Sequence, residues 1–213
     1  VPVYRDRAFT GWVDDLFMGS KLPLVEKTAA GHHVKVPVCG ADGMLAVIDG
    51  FIPPDANVSA GYQSFTRRNV IETAFRLLGR PYGWAGSCHE RSCSELVRTV
   101  LKTFGILVPR GMLLEISYAD AVYSMKENTP PETKYKVLDN CGGGASLCGS
   151  RQHIMIYLGK VGDSRYVIHS NGYSYHDKEG VEYRVGRVSV NDMELEGGSD
   201  IRMITDISTF SPK

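Results

Sequence analysis

The stretch that decides the fold is RSCSELVRTVLKTFG, residues 91–105. Ser92 and Glu95 form a capping-box pattern, in which the serine caps a helix and the glutamate reaches back from the third helical position. Gly105 is a typical helix end. One helical face is apolar and consists of Leu96, Val97, Val100, Leu101 and Phe104. The pattern therefore predicts a helix that begins at Cys93 and packs one face against a core.

Cys93 is the first residue of this helix. Unpaired backbone N–H groups and the helix dipole favour an anion there, so we expect a lowered pKa for the thiol and a nucleophilic thiolate. The chain has five cysteines, and an odd number suggests a free thiol. Cys88 lies in an irregular loop without a helix end, so Cys93 is the better candidate. The alternative is that a free cysteine is simply a small buried apolar residue.

A cysteine nucleophile needs a base, and two histidines lie at suitable positions. The strand-like segments 153–159 and 165–169 flank a short polar turn. In an antiparallel hairpin across this turn, His153 and His169 lie opposite or diagonal to each other on one face of the sheet. If that face meets the start of the Cys93 helix, the three side chains form a Cys–His–His triad.

The chain divides into a β-rich first part and an α+β second part. Residues 1–60 contain short apolar segments separated by turn signals such as Asp42-Gly43, and prolines at 53–54 end them. Residues 61–213 begin with helices and continue with strands, which indicates helices packed on an antiparallel sheet. We predict further helices at 67–78, capped by Thr66 and followed by Gly79, and at 112–125. We predict strands at 135–138, 153–159, 165–170, 181–190 and 201–207.

Composition excludes several classes of protein. The 213 residues are 43% hydrophobic, enough for a core, and 24 basic residues balance 24 acidic ones. We therefore expect no nucleic-acid partner. No apolar run reaches the roughly 20 residues that cross a bilayer, so we expect no integral membrane segment. No signal-peptide pattern follows Val1, and we expect the start to be a processed or trimmed end. We also expect a monomer.

Five motifs, in order along the chain, resemble those of the NlpC-type cell-wall cysteine peptidases. They are LGRPYGWAG (78–86), RSCS (91–94), FGILVPR (104–110), HIMIYLG (153–159) and YVIH (166–169). The likeness extends over most of residues 66–171 and implies a papain-like α+β fold for residues 61–213. Residues 1–60 are similar to the bacterial SH3-like barrels that often precede this domain, with a barrel that we expect to be incomplete at Val1.

The resemblance implies hydrolysis of peptidoglycan stem peptides or muropeptides in a bacterial cell envelope, periplasmic or secreted, typically between D-γ-glutamate and the diamino acid. Carried over by position, Cys93 is the nucleophile, His153 the general base and His169 the residue that orients the base. Tyr82 corresponds to a tyrosine near the oxyanion, and Ser94 follows the nucleophile. The backbone N–H of Cys93 would help to stabilise the oxyanion. Neither a metal nor an organic cofactor is implied.

Ser92 departs from the family, which usually has aspartate before the nucleophile. Serine caps a helix about as well as aspartate. We therefore expect the change to alter substrate preference, because it removes an anion that in relatives holds the free amino end of the substrate. The candidate substrate-binding residues are Tyr82, Trp84, Ser92 and Ser94, with Trp84 packed behind the active-site turn.

Other hypotheses stay open. A non-catalytic cell-wall binding module could keep the same fold, and an acyltransferase could use the same triad. The C-x4-C and C-x6-C spacings of the cysteines disfavour zinc, and no G-x-S-x-G elbow supports a serine hydrolase. Cys141 and Cys148 either form a disulfide, which would fit an oxidising compartment, or remain two free thiols.

Overall fold

The computed structural model describes residues 1–84, 90–176, 179–195 and 201–211. Cys88 lies outside these residues. The chain forms two compact units, Val1–Tyr62 and Gln63–Lys213.

The first unit is a five-stranded antiparallel sheet with the strand order β2-β1-β5-β4-β3. A hairpin joins β4 to β5 at the predicted Asp42-Gly43 turn, where Gly43 adopts a φ of 77° that side-chain-bearing residues rarely reach. The strands are β1 Pro2–Tyr4, β2 Trp12–Asp15, β3 Leu24–Thr28, β4 Gly31–Cys39 and β5 Leu45–Ile52. Their buried core consists of Val3, Val34, Val36 and Ile52. The SH3-like assignment of this unit stays a prediction.

The second unit packs helices on a six-stranded antiparallel sheet with the order β12-β9-β8-β7-β13-β6. The helices are α1 Arg67–Phe75, α2 Cys93–Lys102, α3 Met112–Ser117 and α4 Pro131–Cys141. The sheet strands are β6 Ala121–Ser124, β7 Ser146–Gly149, β8 Ile154–Val161, β9 Ser164–Asn171, β12 Arg187–Asp192 and β13 Asp206–Thr209. A separate hairpin consists of β10 Ser174–His176 and β11 Glu182–Arg184, and a 3₁₀ turn spans Ile201–Met203. This arrangement confirms the predicted α+β class with an antiparallel sheet.

Strand β8 lies in the middle of the core. Its first four residues are all buried, and alternate side chains point to opposite faces of the sheet. Met155 and Tyr157 share a buried cluster with Leu138 of α4, and α2 also packs on β8 and β9. A strand that is covered on both faces needs apolar side chains at successive positions, which explains the unbroken apolar run after His153.

The structure corrects the predicted elements of the second unit. The predicted strand 135–138 lies inside α4, because Pro131 presets the helical φ at its start and Lys134, Leu138 and Cys141 place their side chains on one buried face at helical spacing. Two predicted helices are shorter in the structure: α1 ends at Phe75, and α3 ends at Ser117 and is followed by strand β6. The predicted strand 181–190 is divided into β11 and β12. The first residues of the predicted strand 201–207 form a 3₁₀ turn that precedes β13.

Cys141 and Cys148 are free thiols, so the disulfide alternative is wrong. Both lie in the buried cluster between α4 and the sheet. Burial raises the pKa of both thiols, and that of Cys148, which is fully buried, rises far above the ordinary range. They therefore act as small apolar core residues.

Lys134 is a fully buried charged side chain on α4. Its Nζ donates hydrogen bonds to the backbone carbonyls of Glu127 (2.9 Å), Ile201 (3.2 Å) and Arg202 (2.8 Å). Carbonyl oxygens replace the water that an ammonium group loses on burial. The side chain therefore joins α4 to the 3₁₀ turn that leads into β13.

Replacing Lys134 with alanine should lower the free energy of unfolding by about 3 kcal/mol, because three carbonyls lose a charged donor in a site closed to water. Urea unfolding followed by circular dichroism measures this. The control is Lys136→Ala, which removes an exposed lysine from the same helix and should change stability by less than about 0.5 kcal/mol. Equal stability of the two variants would contradict the role of Lys134.

Candidate active site

The start of α2 carries the candidate nucleophile. Ser92 caps the helix as predicted, since its Oγ accepts a hydrogen bond from the backbone N–H of Glu95 (3.4 Å). The Glu95 carboxylate does not complete the reciprocal half of a capping box and instead pairs with Arg98 (2.7 Å). Cys93 is the first helical residue, and Ser94 follows with its Oγ 3.4 Å from that of Ser92.

The carbonyl of Arg91 holds this helix start against two other segments. It accepts a hydrogen bond from the Ser170 Oγ of β9 (2.5 Å) and another from the backbone N–H of Gly83 (3.3 Å). The neighbouring Tyr82 lies against the backbone of Gly172, where an added Cβ would come within 2.9 Å of the ring. The start of α2, the turn that contains Tyr82 and strand β9 therefore meet at one place.

The Cys93 thiol lies at the beginning of β8. The backbone N–H groups of Ile154 and Ser94 both hydrogen-bond to its sulfur. Ile154 directly follows His153, so this contact brings the predicted base and the predicted nucleophile to the same site. The pKa of Tyr82 is raised, first by burial and then by the charges that Cys93 and Tyr173 can carry.

His153 and His169 form a buried hydrogen-bonded pair. Nε2 of His153 lies 2.6 Å from Nδ1 of His169, and the rings meet edge to face. The register of the β8–β9 hairpin sets Ile156 opposite Ile168, which makes the two histidines the diagonal neighbours that the sequence predicts. Nε2 of His169 lies 2.8 Å from Oδ1 of Asn191.

Burial also decides the charges of these groups. Loss of water, together with the neighbouring His169, lowers the pKa of His153 to about 3. Burial likewise lowers the pKa of His169 to about 4, against a raising effect of the hydrogen bond to Asn191. Both imidazoles are therefore neutral at pH 7.

The predicted lowering of the Cys93 pKa is wrong. Burial raises the pKa of the thiol, and this outweighs the N–H groups of Ile154 and Ser94 that favour the thiolate. The pKa shifts therefore favour a neutral thiol at Cys93 and neutral imidazoles at His153 and His169 at pH 7.

Glu115 of α3 is a buried carboxyl group that the sequence analysis missed. Its Oε1 accepts a hydrogen bond from the backbone N–H of Gly111 (3.4 Å), and its Oε2 has no hydrogen-bond partner within the described residues. Burial raises its pKa to about 8, so the group is mostly protonated at pH 7. When ionised, the Glu115 carboxylate raises the pKa of the Cys93 thiol. No motif in residues 112–117 marks this glutamate in the sequence.

Trp84 does not pack behind the turn as predicted. Its side chain is 76% exposed, whereas Tyr82 in the same turn is half-buried. Tyr173 was not among the predicted site residues, and its ring meets that of His153 edge to face at 5.8 Å. Tyr173 lies four residues after His169, just beyond the end of β9, and this position in the sequence could have indicated that it belongs to the site.

In the part of the chain that the structure describes, no group of three or more histidine, cysteine, aspartate or glutamate side chains could hold a metal ion. Cys88, the first cysteine of the C-x4-C spacing that was weighed for zinc, lies outside that part. Nor is any helix there long and apolar enough to cross a membrane.

Comparison with solved structures finds proteins with a similar fold. An NlpC/P60 endopeptidase from Photobacterium damselae subsp. piscicida matches with a TM-score of 0.67 at 20% identity, over 92% of this chain and 49% of its own. The chain has an NlpC/P60-type fold. A Bacillus cereus ATCC 10987 protein of the NlpC/P60 family matches with a TM-score of 0.58 at 17% identity, over 99% of this chain and 60% of its own.

This NlpC/P60-type chain therefore spans about half of the first of these proteins and three fifths of the second. No protein-family model matches the sequence, and no curated protein matches it. The likeness in fold agrees with the one that the sequence motifs suggest.

Alkylation of Cys93 by iodoacetamide should become faster with pH up to a midpoint above that of a free cysteine, because only the thiolate reacts and burial disfavours it. Glu115→Gln should move this midpoint to lower pH. A glutamine carries no charge, whereas the Glu115 carboxylate formed above about pH 8 repels a thiolate. Mass spectrometry of the Cys93 peptide measures the rate at each pH.

The control is Glu132→Gln, which changes an exposed glutamate in the first turn of α4. It should leave the midpoint where it is. A wild-type rate that is already constant below pH 7 would mean that the thiolate forms readily, and would refute the neutral resting state.

Proposed function

We propose that the chain is a cysteine endopeptidase that hydrolyses peptidoglycan stem peptides, with Cys93 as nucleophile, His153 as general base and His169 as the residue that orients the base. One observation carries the proposal. The Ile154 N–H hydrogen-bonds to the Cys93 sulfur, Ile154 directly follows His153 in the chain, and His153 is hydrogen-bonded to His169, which together support the assignment. The NlpC/P60-type fold supports it.

In the first half of the reaction, the ring nitrogen of His153 that does not face His169 takes the proton from the Cys93 thiol. The sulfur attacks the carbonyl carbon of the scissile peptide bond, and the carbonyl oxygen becomes an oxyanion. His169 accepts a hydrogen bond from the imidazolium that forms on His153. Because the resting groups are neutral, charge appears only as this step proceeds, and it appears in a site with little water to screen it.

The collapse of this intermediate completes the first half. His153 gives its proton to the leaving amine, the carbon–nitrogen bond breaks and a thioester remains on Cys93. In the second half His153 takes a proton from water as the oxygen attacks the thioester carbon. The carbon–sulfur bond then breaks, His153 returns the proton to the Cys93 sulfur, and the carboxylic acid product leaves and ionises in solvent. The backbone N–H of Cys93 and the Tyr82 hydroxyl are the groups that we assign to the oxyanion, a role whose loss typically costs about 10²–10³ in rate.

We assign the bond between D-γ-glutamate and the diamino acid as the target, in a bacterial cell envelope, with the protein acting as a monomer without a metal or organic cofactor. Ser92, Ser94 and the exposed Trp84 complete the proposed substrate contacts. An SH3-like role of the first unit in holding the cell wall belongs to the same proposal.

Digestion of purified muropeptides tests the activity. The wild-type protein should release fragments with a new amine and a new carboxylate, and Cys93→Ala should release none, because the thioester cannot form. Mass analysis of the products also separates the alternatives. An acyltransferase would join the acyl group to an added amine, and a binding module would retain muropeptides but leave them intact. Intact muropeptides after incubation with the wild type would refute the peptidase.

Ser92→Asp tests the role of the missing anion. Aspartate should still cap α2, and its carboxylate should attract the free amino end of a substrate. We expect the ratio of kcat/KM for free-amine over amine-blocked peptides to rise by about fivefold, the scale of one partly screened ion pair. Ser92→Ala is the control, since it removes the cap without adding a charge. An unchanged ratio in Ser92→Asp would show that Ser92 does not set substrate preference.

A further inference from the structure

We propose that Asn191 fixes which ring nitrogens of His153 and His169 carry protons, and thereby acts as a positioning residue of the site. The proposed peptidase activity is assumed only for the predicted effect on kcat. Asn191 belongs to none of the motifs that resemble the NlpC-type peptidases, and it lies 22 residues after His169 in the sequence.

Strand β12 brings Asn191 to the histidines. Ser189 lies directly opposite His169 in the β12–β9 ladder, and Asn191 lies two residues further along the same face. The Oδ1 atom of Asn191 is 2.8 Å from Nε2 of His169 and 2.6 Å from the Oγ of Ser189. A backbone ladder and a second side chain therefore hold this oxygen in place.

The hydrogen bonds define one arrangement of protons. A carbonyl oxygen can only accept, so Nε2 of His169 must carry the hydrogen that Asn191 receives. In a neutral ring the other nitrogen then has a free lone pair, so Nδ1 of His169 accepts from Nε2 of His153. By the same rule, Nδ1 of His153 is left without a hydrogen.

This arrangement is the one that a base needs. Nδ1 is the only His153 nitrogen that does not face His169, so it is the one available to take the Cys93 proton. With the opposite arrangement, Nδ1 of His169 would donate to Nε2 of His153, and Nδ1 of His153 would already be protonated. Both rings are buried and neutral at pH 7, so the Oδ1 atom of Asn191, which can only accept and which faces His169, selects between the two arrangements.

Two variants of similar size separate this role from packing. Asn191→Leu keeps the side-chain shape and removes the acceptor. Asn191→Asp keeps the acceptor and adds a negative charge. Ser189→Ala removes the second donor to Oδ1 and should have a weaker effect. Asn140→Leu makes the same change at an exposed position of α4 and serves as the control.

Nitrogen-15 NMR of the histidine rings reads the proton positions directly, with or without substrate. In the wild type and in Asn140→Leu, we expect both His153 and His169 to carry hydrogen on Nε2. In Asn191→Leu, a large fraction of both rings should carry it on Nδ1. In Asn191→Asp, the hydrogen should stay on Nε2, and the charge should raise the pKa of His169 and move the acid limb of the pH profile to higher pH.

Kinetics on a cleaved muropeptide adds a second measurement. Asn191→Leu should lower kcat by about 10- to 100-fold with little change in KM, and Asn191→Asp should retain most of kcat near neutral pH. Unchanged ring proton positions in Asn191→Leu would overturn the proposal, whether or not kcat falls, because a loss of rate alone would then come from packing. If the wild type cleaves nothing, the peptidase proposal fails, and the NMR result still decides the role of Asn191.

Discussion

The hydrogen bonds that fasten the start of α2 to the sheet are the interaction on which the site depends. The Arg91 carbonyl accepts from β9 and from the turn that holds Tyr82, and the Cys93 sulfur accepts from the first N–H of β8. Each of these contacts uses backbone groups of residues 91–93 or the sulfur itself. The Cys93 thiol is therefore positioned by the same hydrogen bonds that join α2 to the sheet, and a small shift of α2 would move the sulfur away from the start of β8.

The cost of this placement is burial, and burial controls the chemistry of the site more than the helix end does. A helix N-terminus stabilises a nearby anion by about 0.3–1 kcal/mol at an exposed position. The loss of water around the Cys93 thiol acts in the opposite direction and prevails, as it does for the imidazoles of His153 and His169. In the proposed peptidase, Cys93 would therefore depend less on a preformed thiolate than on nearby N–H groups and on His153 as the base.

Local patterns predicted the parts of the site that depend on local structure. The cap at Ser92, the start of α2 at Cys93 and the diagonal pairing of the histidines all follow from spacing within single elements or one hairpin. The predicted strand 135–138 was wrong because the segment lies inside a helix, and only one of that helix's three buried positions, Leu138, falls within it. Glu115 and Asn191 could not be found, since each reaches the site through tertiary packing of an element that carries no motif. The thiol pKa was wrong for the same reason, because sequence shows a helix end but not how deeply it is buried.

Ser92 and Glu115 are both uncharged near the Cys93 thiol at pH 7, and a negative charge at either residue would raise the pKa of the thiol. An ionised aspartate at position 92 would stand beside a sulfur whose thiolate burial already disfavours, and it would raise the thiol pKa further. Glu115 is mostly protonated at pH 7, because its own burial raises its pKa to about 8. A neutral serine and a neutral carboxyl together spare the developing thiolate two nearby negative charges. The N–H groups of Ile154 and Ser94 lower the pKa of the thiol more than an ionised Glu115 raises it. A neutral residue at position 92 keeps a second opposing charge away from the sulfur, so an aspartate there should raise the thiol pKa as well as alter the proposed substrate preference.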